Sequence, residues 1–244
     1  MGLDGQHGPL VRAAALALVL ALGPGPAATQ GQCRLALQLG LDVSASVDAA
    51  EYDTQLSGLA GALIAPEIVE AFLAGPGPVA VSVFEWSGRF QQDIVIDWTL
   101  VTSEDVLTTI AERIMRQTRA HADFPTALGY ALGFAADRFS DAPPCLFRTL
   151  DISGDGQNND GFPPAAAYEH FPFAGVTVNG LAIGGASRGI EDYYLDQVIR
   201  GPGAFVEYAA SHEDFADAMR RKLERELRVM ILGGLGLPTG QRPR

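Results

Sequence analysis

Leu35-Ala36-Leu37-Gln38-Leu39-Gly40-Leu41-Asp42-Val43-Ser44-Ala45-Ser46 is the stretch on which the fold turns. Its first seven residues carry no charge and are mostly branched and apolar, so they read as a buried strand. The run then stops at a carboxylate, and two hydroxyls follow at alternate positions. Buried strands of this kind belong to sheets covered by helices on both faces.

The pattern outside that stretch supports such a sheet. Residues 48–73 repeat apolar side chains at helical spacing (Leu56, Leu59, Leu63, Ile64, Ile68, Val69, Phe72), and Pro66 marks a break or kink. Gly75 to Pro78 is a turn. Val79–Phe84 and Ile94–Trp98 read as strands. So few residues separate them that a helical crossover does not fit, and an antiparallel hairpin is expected. Ser103 is placed to cap a helix through Met115. A polar loop from Gln117 to Pro125 leads to a helix over 126–139. Cys145–Ile152 is the next strand, and a long polar loop follows from Ser153 to Gly161. A helix over 164–170, a strand over 176–183, a helix near 190–199, a short strand over 204–208 and a last helix over 213–229, after a Ser211 cap, complete the series. Strands alternating with helices predict a three-layer, Rossmann-like α/β domain with a mainly parallel sheet. The doubly wound order 3-2-1-4-5-6, with one antiparallel edge strand, fits this series.

Composition narrows the function classes. The chain has 244 residues, is 48% hydrophobic and carries a formal net charge of -12. It is long enough for one full core, and its charge argues against nucleic acid or an anionic lipid surface as partner. At the N-terminus, Arg12 precedes the apolar run Ala13–Leu22 and a small-residue exit ending near Ala27 and Ala28. That pattern predicts a signal peptide over 1–28 and a secreted or periplasmic mature chain. The run is too short to span a bilayer, and no transmembrane segment is expected in the mature chain. Thr29 to Gln32 before Cys33 is not a lipidation signal.

Ligands of open α/β sheets bind beyond the carboxyl ends of strands, where the strand order reverses. Two polar segments leave strands at that point: Asp42-Val43-Ser44-Ala45-Ser46 and Ser153-Gly154-Asp155-Gly156. Thr126 opens the helix between them. Two carboxylates and three hydroxyls from three segments suit a hard divalent cation. Uncharged hydroxyl ligands leave such an ion electron-poor, with a position free for an outside oxygen. Taken singly, Ser44 or Ser46 could cap the first helix, Asp42 could satisfy backbone amides, and Thr126 could be an N-cap.

Together these residues resemble the metal-ion-dependent adhesion site of von Willebrand factor A-type domains, which include integrin I domains. The resemblance extends over residues 34–229. Asp42, Ser44 and Ser46 match the first motif, Thr126 the second and Asp155 the third, which usually reads Thr-Asp-Gly where this chain has Gly154-Asp155-Gly156. The segments Val83-Phe84-Glu85-Trp86-Ser87-Gly88 and Gly201-Pro202-Gly203-Ala204-Phe205-Val206-Glu207 look most like an uncharacterised bacterial family with this fold. The resemblance implies a von Willebrand A-type domain over 33–230, with 231–244 as a C-terminal tail. It implies Mg²⁺ or Mn²⁺ as the ion, and a protein partner that offers a carboxylate. No catalytic turnover is inferred, since no base stands beside a nucleophile.

Other readings compete. Gly185-Ala186-Ser187-Arg188-Gly189 matches the Gly-x-Ser-x-Gly elbow of serine hydrolases, and Asp196 and His212 follow in the right order. A glycine-rich turn is the simpler account. Asp151 to Phe162 mimics the start of a calcium loop but ends in Phe162 where a bidentate Glu is needed. A structural periplasmic subunit with a stabilising metal is the third alternative. Glu85, Trp86, His121, Asp123 and Asn158 are candidates for a ligand-binding rim. Glu85 and Trp86 are equally compatible with burial under the hairpin. Cys33 and Cys145 start neighbouring strands in the expected order, which predicts a disulfide; two buried free thiols are the alternative.

Overall fold

The computed structural model describes residues 1–2, 32–184 and 189–234, and side chains as far as Arg228. The chain divides between Gln30 and Gly31, and the second unit is the one described below. Residues 3–28 of the predicted signal peptide, residues 185–188 of the Ser187 elbow and residues 235–244 of the predicted tail lie outside the described residues.

Six strands form one sheet in the order β3-β2-β1-β4-β5-β6. They are β1 Cys33–Asp42, β2 Val79–Trp86, β3 Gln92–Val101, β4 Cys145–Gly154, β5 Val176–Ile183 and β6 Val206–Ala209. All neighbours run parallel except β2 and β3. This is the predicted order, and the hairpin arises for the predicted reason: the short Ser87–Gln91 connection cannot hold a crossover helix. Every residue of β1 is buried. Leu35, Leu37, Leu39 and Leu41 face one hydrophobic layer. Ala36 joins a second layer on the opposite face, with Leu150 and Ile152 of β4.

Helices α1 (Ala49–Leu63), α2 (Pro66–Leu73), α3 (Glu104–Met115) and α7 (Phe215–Gly234) cover the first face. Helices α4 (Leu128–Arg138), α5 (Pro164–His170) and α6 (Gly189–Tyr193) serve the second. Pro66 does break the 48–73 run, and it sits at the first turn of α2, where its missing N–H costs nothing. Asp48 caps α1 by accepting from the Ala50 and Glu51 amides, and Glu51 reciprocates to the Asp48 N–H. This capping box satisfies orphan amides, so neither Ser44 nor Ser46 is needed as the cap. The helix expected at 190–199 becomes α6 followed by a π-turn over Tyr194–Val198, in which the Ile199 amide donates to the Tyr194 carbonyl. Ser211 stands before a short 3₁₀ turn that leads into α7, but its hydroxyl caps no amide and instead meets the Asp214 side chain. Among the described residues, no single helix is long and apolar enough to cross a membrane.

Cys33 and Cys145 stand opposite each other on β1 and β4 and form a disulfide. The bond ties the N-terminal ends of the two central strands. Free thiols, the alternative, are not what the chain forms.

Candidate metal centre

The opposite, carboxyl end of β1 and β4 gathers the polar cluster. Asp42 ends β1 with no exposed surface. Its Oδ1 accepts from the Ser44 amide at 2.8 Å, a turn closed by the side chain of its own strand exit. Ser44 Oγ lies 3.1 Å from Ser46 Oγ, and Thr126 Oγ1 donates to Ser44 Oγ at 3.1 Å. Ser46 donates to Asp155 Oδ1 at 2.6 Å. The five oxygen-bearing residues of the sequence argument are therefore brought to one place. Ser44 and Thr126 are buried, Ser46 is exposed and Asp155 half-exposed, so the cluster opens to solvent on one side.

The donor set can be tested against an ion. Neighbouring oxygens around octahedral Mg²⁺ stand about 3 Å apart, given metal–oxygen distances near 2.1 Å. The Ser44–Ser46 and Ser44–Thr126 spacings agree with that. Asp42 Oδ2 is buried with no hydrogen-bond partner, an expensive state for a carboxylate oxygen unless a cation or proton meets it. Burial first, and then the Asp155 charge, push the Asp42 carboxyl up to about 7; the Ser44 bonds and Arg119 oppose this. The residues fit a small hard cation. Among the described residues no group of three or more His, Cys, Asp or Glu side chains is placed to hold a metal; the cluster has only two carboxylates, and hydroxyls supply the rest.

Several residues that hold this cluster had no signal in the motif. Arg119, in the loop before Thr126, donates to the Val43 and Ser44 carbonyls, both at 2.7 Å, and so clamps the first motif from outside. The Phe124 carbonyl accepts from the Ala45 amide between the two serines. Asn159 accepts from the Thr126 amide at 2.9 Å and returns its own amide to the Thr126 carbonyl. Thr126 caps no helix with its side chain, since α4 begins two residues later. An Asn-Asn pair in a polar loop was the available hint for Asn159; Arg119 offered none beyond its loop position.

The proposed rim separates. Glu85 and Trp86 do not face it: they are buried, at 2% and 0% exposure. Alternation along β2 turns them to opposite faces of the sheet. Glu85 accepts from Tyr52 at 2.6 Å and from Gln117 at 3.3 Å. Burial raises its carboxyl above the ordinary range, and those two bonds oppose the shift. Trp86 packs in the second hydrophobic layer. Asn158 accepts from the Gly129 amide at the start of α4, so it serves the helix terminus. Asp123 is exposed, and half-buried His121 pairs with Asp93 at 3.2 Å and meets the Phe124 ring edge-on. As for the hydrolase reading, His212 is buried and its Nδ1 lies 3.1 Å from Glu51 Oε1, while Asp196 is exposed on the π-turn.

A doubly wound six-stranded sheet in this order with one antiparallel edge pair is the Rossmann-like α/β fold of von Willebrand A-type domains. Residues 32–231 match the model of a family described as a protein of unknown function (DUF1194), and the chain belongs to that family. No curated protein sequence matches it. Among solved structures it is similar to proximal thread matrix protein 1 of the mussel byssus with a zinc-occupied MIDAS motif, at 16% identity and a TM-score of 0.57 over 83% of this chain. It is similar to a von Willebrand factor type A protein from Catenulispora acidiphila, at 16% identity and TM-score 0.54 over 80% of this chain. It is also similar to the PilB minor pilin of Streptococcus sanguinis, at 12% identity and TM-score 0.59 over 86% of this chain. The chain spans 48%, 43% and 64% of those three proteins respectively. At such identities the likeness is one of fold.

Proposed function

We propose that this protein is an exported binding module that captures an acidic group of a protein partner through a divalent cation, Mg²⁺ or Mn²⁺, held by Asp42, Ser44, Ser46, Thr126 and Asp155. One observation carries the reading: five oxygen-bearing side chains from three chain segments meet in one hydrogen-bonded cluster that leaves Asp42 Oδ2 unpartnered. The zinc-occupied MIDAS motif of the mussel protein, on the same fold, supports it. When bound, the ion supplies an electrophilic position for an outside carboxylate. Asp42 and Asp155 carry the opposing charge, and the three hydroxyls add donor oxygens without adding charge. Arg119 and Asn159 hold the two loops still. The exposed side, at Ser46 and Asp155, is where a partner's carboxylate reaches the ion. A binding role, with no turnover, is the reading favoured here. The signal-like segment over 1–28 supports export.

Titration calorimetry with Mg²⁺ tests the site. Wild-type protein is expected to bind one ion, and Asp42→Ala or Asp155→Ala to abolish binding; unchanged affinity in either variant overturns the assignment. Pulldown from the native envelope with and without chelator tests capture of a partner. Partners that ignore the chelator point instead to a metal that only stiffens loops. An esterase assay of wild type against Ser187→Ala separates the hydrolase alternative.

A further inference from the structure

Gly154 stands where the motif usually has threonine, and the geometry gives a reason. A Cβ at position 154 would lie 2.6 Å from the Tyr194 hydroxyl and 2.8 Å from Asp42 Oδ2. On β5, a Cβ at Gly180 would lie 2.5 Å from Tyr194 Cδ1. Glycine inside a strand weakens it and often marks a close approach. Two such glycines on adjacent strands make the trough in which the Tyr194 ring lies. Tyr194 is wholly buried, and its hydroxyl has no hydrogen-bond partner. Asp42 Oδ2 is the other buried polar atom bordering the Gly154 gap, and it too has none. A phenol donates a proton and a carboxylate oxygen only accepts, so these two orphans are complementary. Tyr194 opens the π-turn, a local irregularity frequent at functional sites.

We propose that Tyr194 is a positioning residue of the cation site: its hydroxyl supports Asp42 Oδ2 from behind and occupies, from a different element, the space that a side chain at position 154 would need. This inference rests on the cation site proposed above. Outer partners of metal-binding carboxylates fix their orientation, and losing one typically costs about 10–100-fold in metal affinity. The two groups border the same gap without a hydrogen bond between them in this structure, and a phenol that turns to the carboxylate supports it without adding charge that competes with the ion.

The test compares Mg²⁺ affinity by calorimetry for wild type, Tyr194→Phe, Tyr194→Leu and Asp42→Ala, each confirmed folded by circular dichroism. Tyr194→Phe keeps the ring and removes only the hydroxyl. The expected result is a loss of about tenfold or more in Tyr194→Phe, with Tyr194→Leu no better. A role confined to packing predicts wild-type affinity in Tyr194→Phe and a loss only in Tyr194→Leu, and that outcome overturns the proposal. If Asp42→Ala abolishes binding while Tyr194→Phe leaves it unchanged, the cation site stands and the tyrosine's role falls. If wild type binds no Mg²⁺, the cation site falls and takes this role with it.

Discussion

If Asp42 belongs to the proposed cation site, the ion-free protein should lose stability as pH rises, and the loss should run through Asp42. In the folded chain its carboxyl is pushed by burial up to about 7, against an ordinary value of 3.8. The folded state therefore keeps this proton over a range in which the unfolded chain has released it. Below about pH 4 both states are protonated and Asp42 makes no difference. Between about 4 and 7, stability falls with rising pH at up to ~1.4 kcal/mol per unit, and above that the full penalty applies. A shift of roughly three units gives a penalty of about 4 kcal/mol near pH 8, a large share of the roughly 5–15 kcal/mol typical of a domain. A bound cation takes the proton's place and removes most of it. Urea unfolding followed by circular dichroism, at about pH 5 and pH 8, in chelator and in saturating Mg²⁺, measures each corner. Mg²⁺ should stabilise far more at the higher pH. Asp151 is also pushed up by burial, although the Lys222 charge opposes the shift, so Asp42→Asn is the necessary control: the Asp151 contribution is common to both proteins and cancels. In chelator, Asp42→Asn should gain on wild type as pH rises. Equal pH slopes in the two proteins, or a Mg²⁺ effect independent of pH, would refute the reasoning.

Other consequences can be checked with the same unfolding assay. Lys222 is wholly buried between Asp151 at 3.1 Å and Glu226 at 2.8 Å, so Lys222→Met should strand two buried carboxylates and cost about 3–5 kcal/mol. Cys33 and Cys145 are 112 residues apart in sequence; reduction, or Cys33→Ser with Cys145→Ser, should cost about 2–5 kcal/mol. Arg119→Ala should weaken Mg²⁺ binding measured by calorimetry, because the Val43 and Ser44 carbonyls lose their clamp; unchanged affinity would show that the first motif holds its shape alone. Gly154→Thr, which restores the usual motif, should lower rather than raise stability, by about 1–3 kcal/mol, since there is no room beside Tyr194 and Asp42.

The fold was legible because its signals are local. Leu35 to Leu41 could only be a buried strand, and the short link before Ile94 could only be a hairpin. The order of β1 and β4 then put Cys33 beside Cys145. The polar cluster was legible because Asp42 and Asp155 each follow a strand, and topology alone takes strand exits to one edge. What escaped depends on which way a side chain points once the layers close. Arg220, Arg221 and Lys222 are consecutive cations on α7, and nothing in their order says which one is buried; the core takes Lys222 and leaves the arginines outside. Glu85 and Trp86 looked like rim residues because they end a strand, but the hairpin and α1 cover them. Tyr194 had no signal at all, since a π-turn shifts the register that helical spacing assumes.

The hydrogen bonds of the cluster bear on what the ion would have to do. Ser44, Ser46, Thr126 and Asp155 already form a connected chain through the same oxygens that would hold the cation. The backbone of the first motif and of Thr126 is fixed by Arg119, Phe124 and Asn159 together with Asp42 Oδ1. Entry of a cation would therefore exchange hydrogen bonds for coordination with little rearrangement of the chain, and such preorganisation favours affinity by reducing the ordering cost. The one group left over is Asp42, whose Oδ2 no polar atom satisfies and whose charge burial disfavours. Asp42 Oδ1 already closes the loop on the Ser44 amide, so Oδ2 is the oxygen left for the proposed cation. The cost of keeping that carboxylate buried without a cation is the quantity that the pH experiment measures.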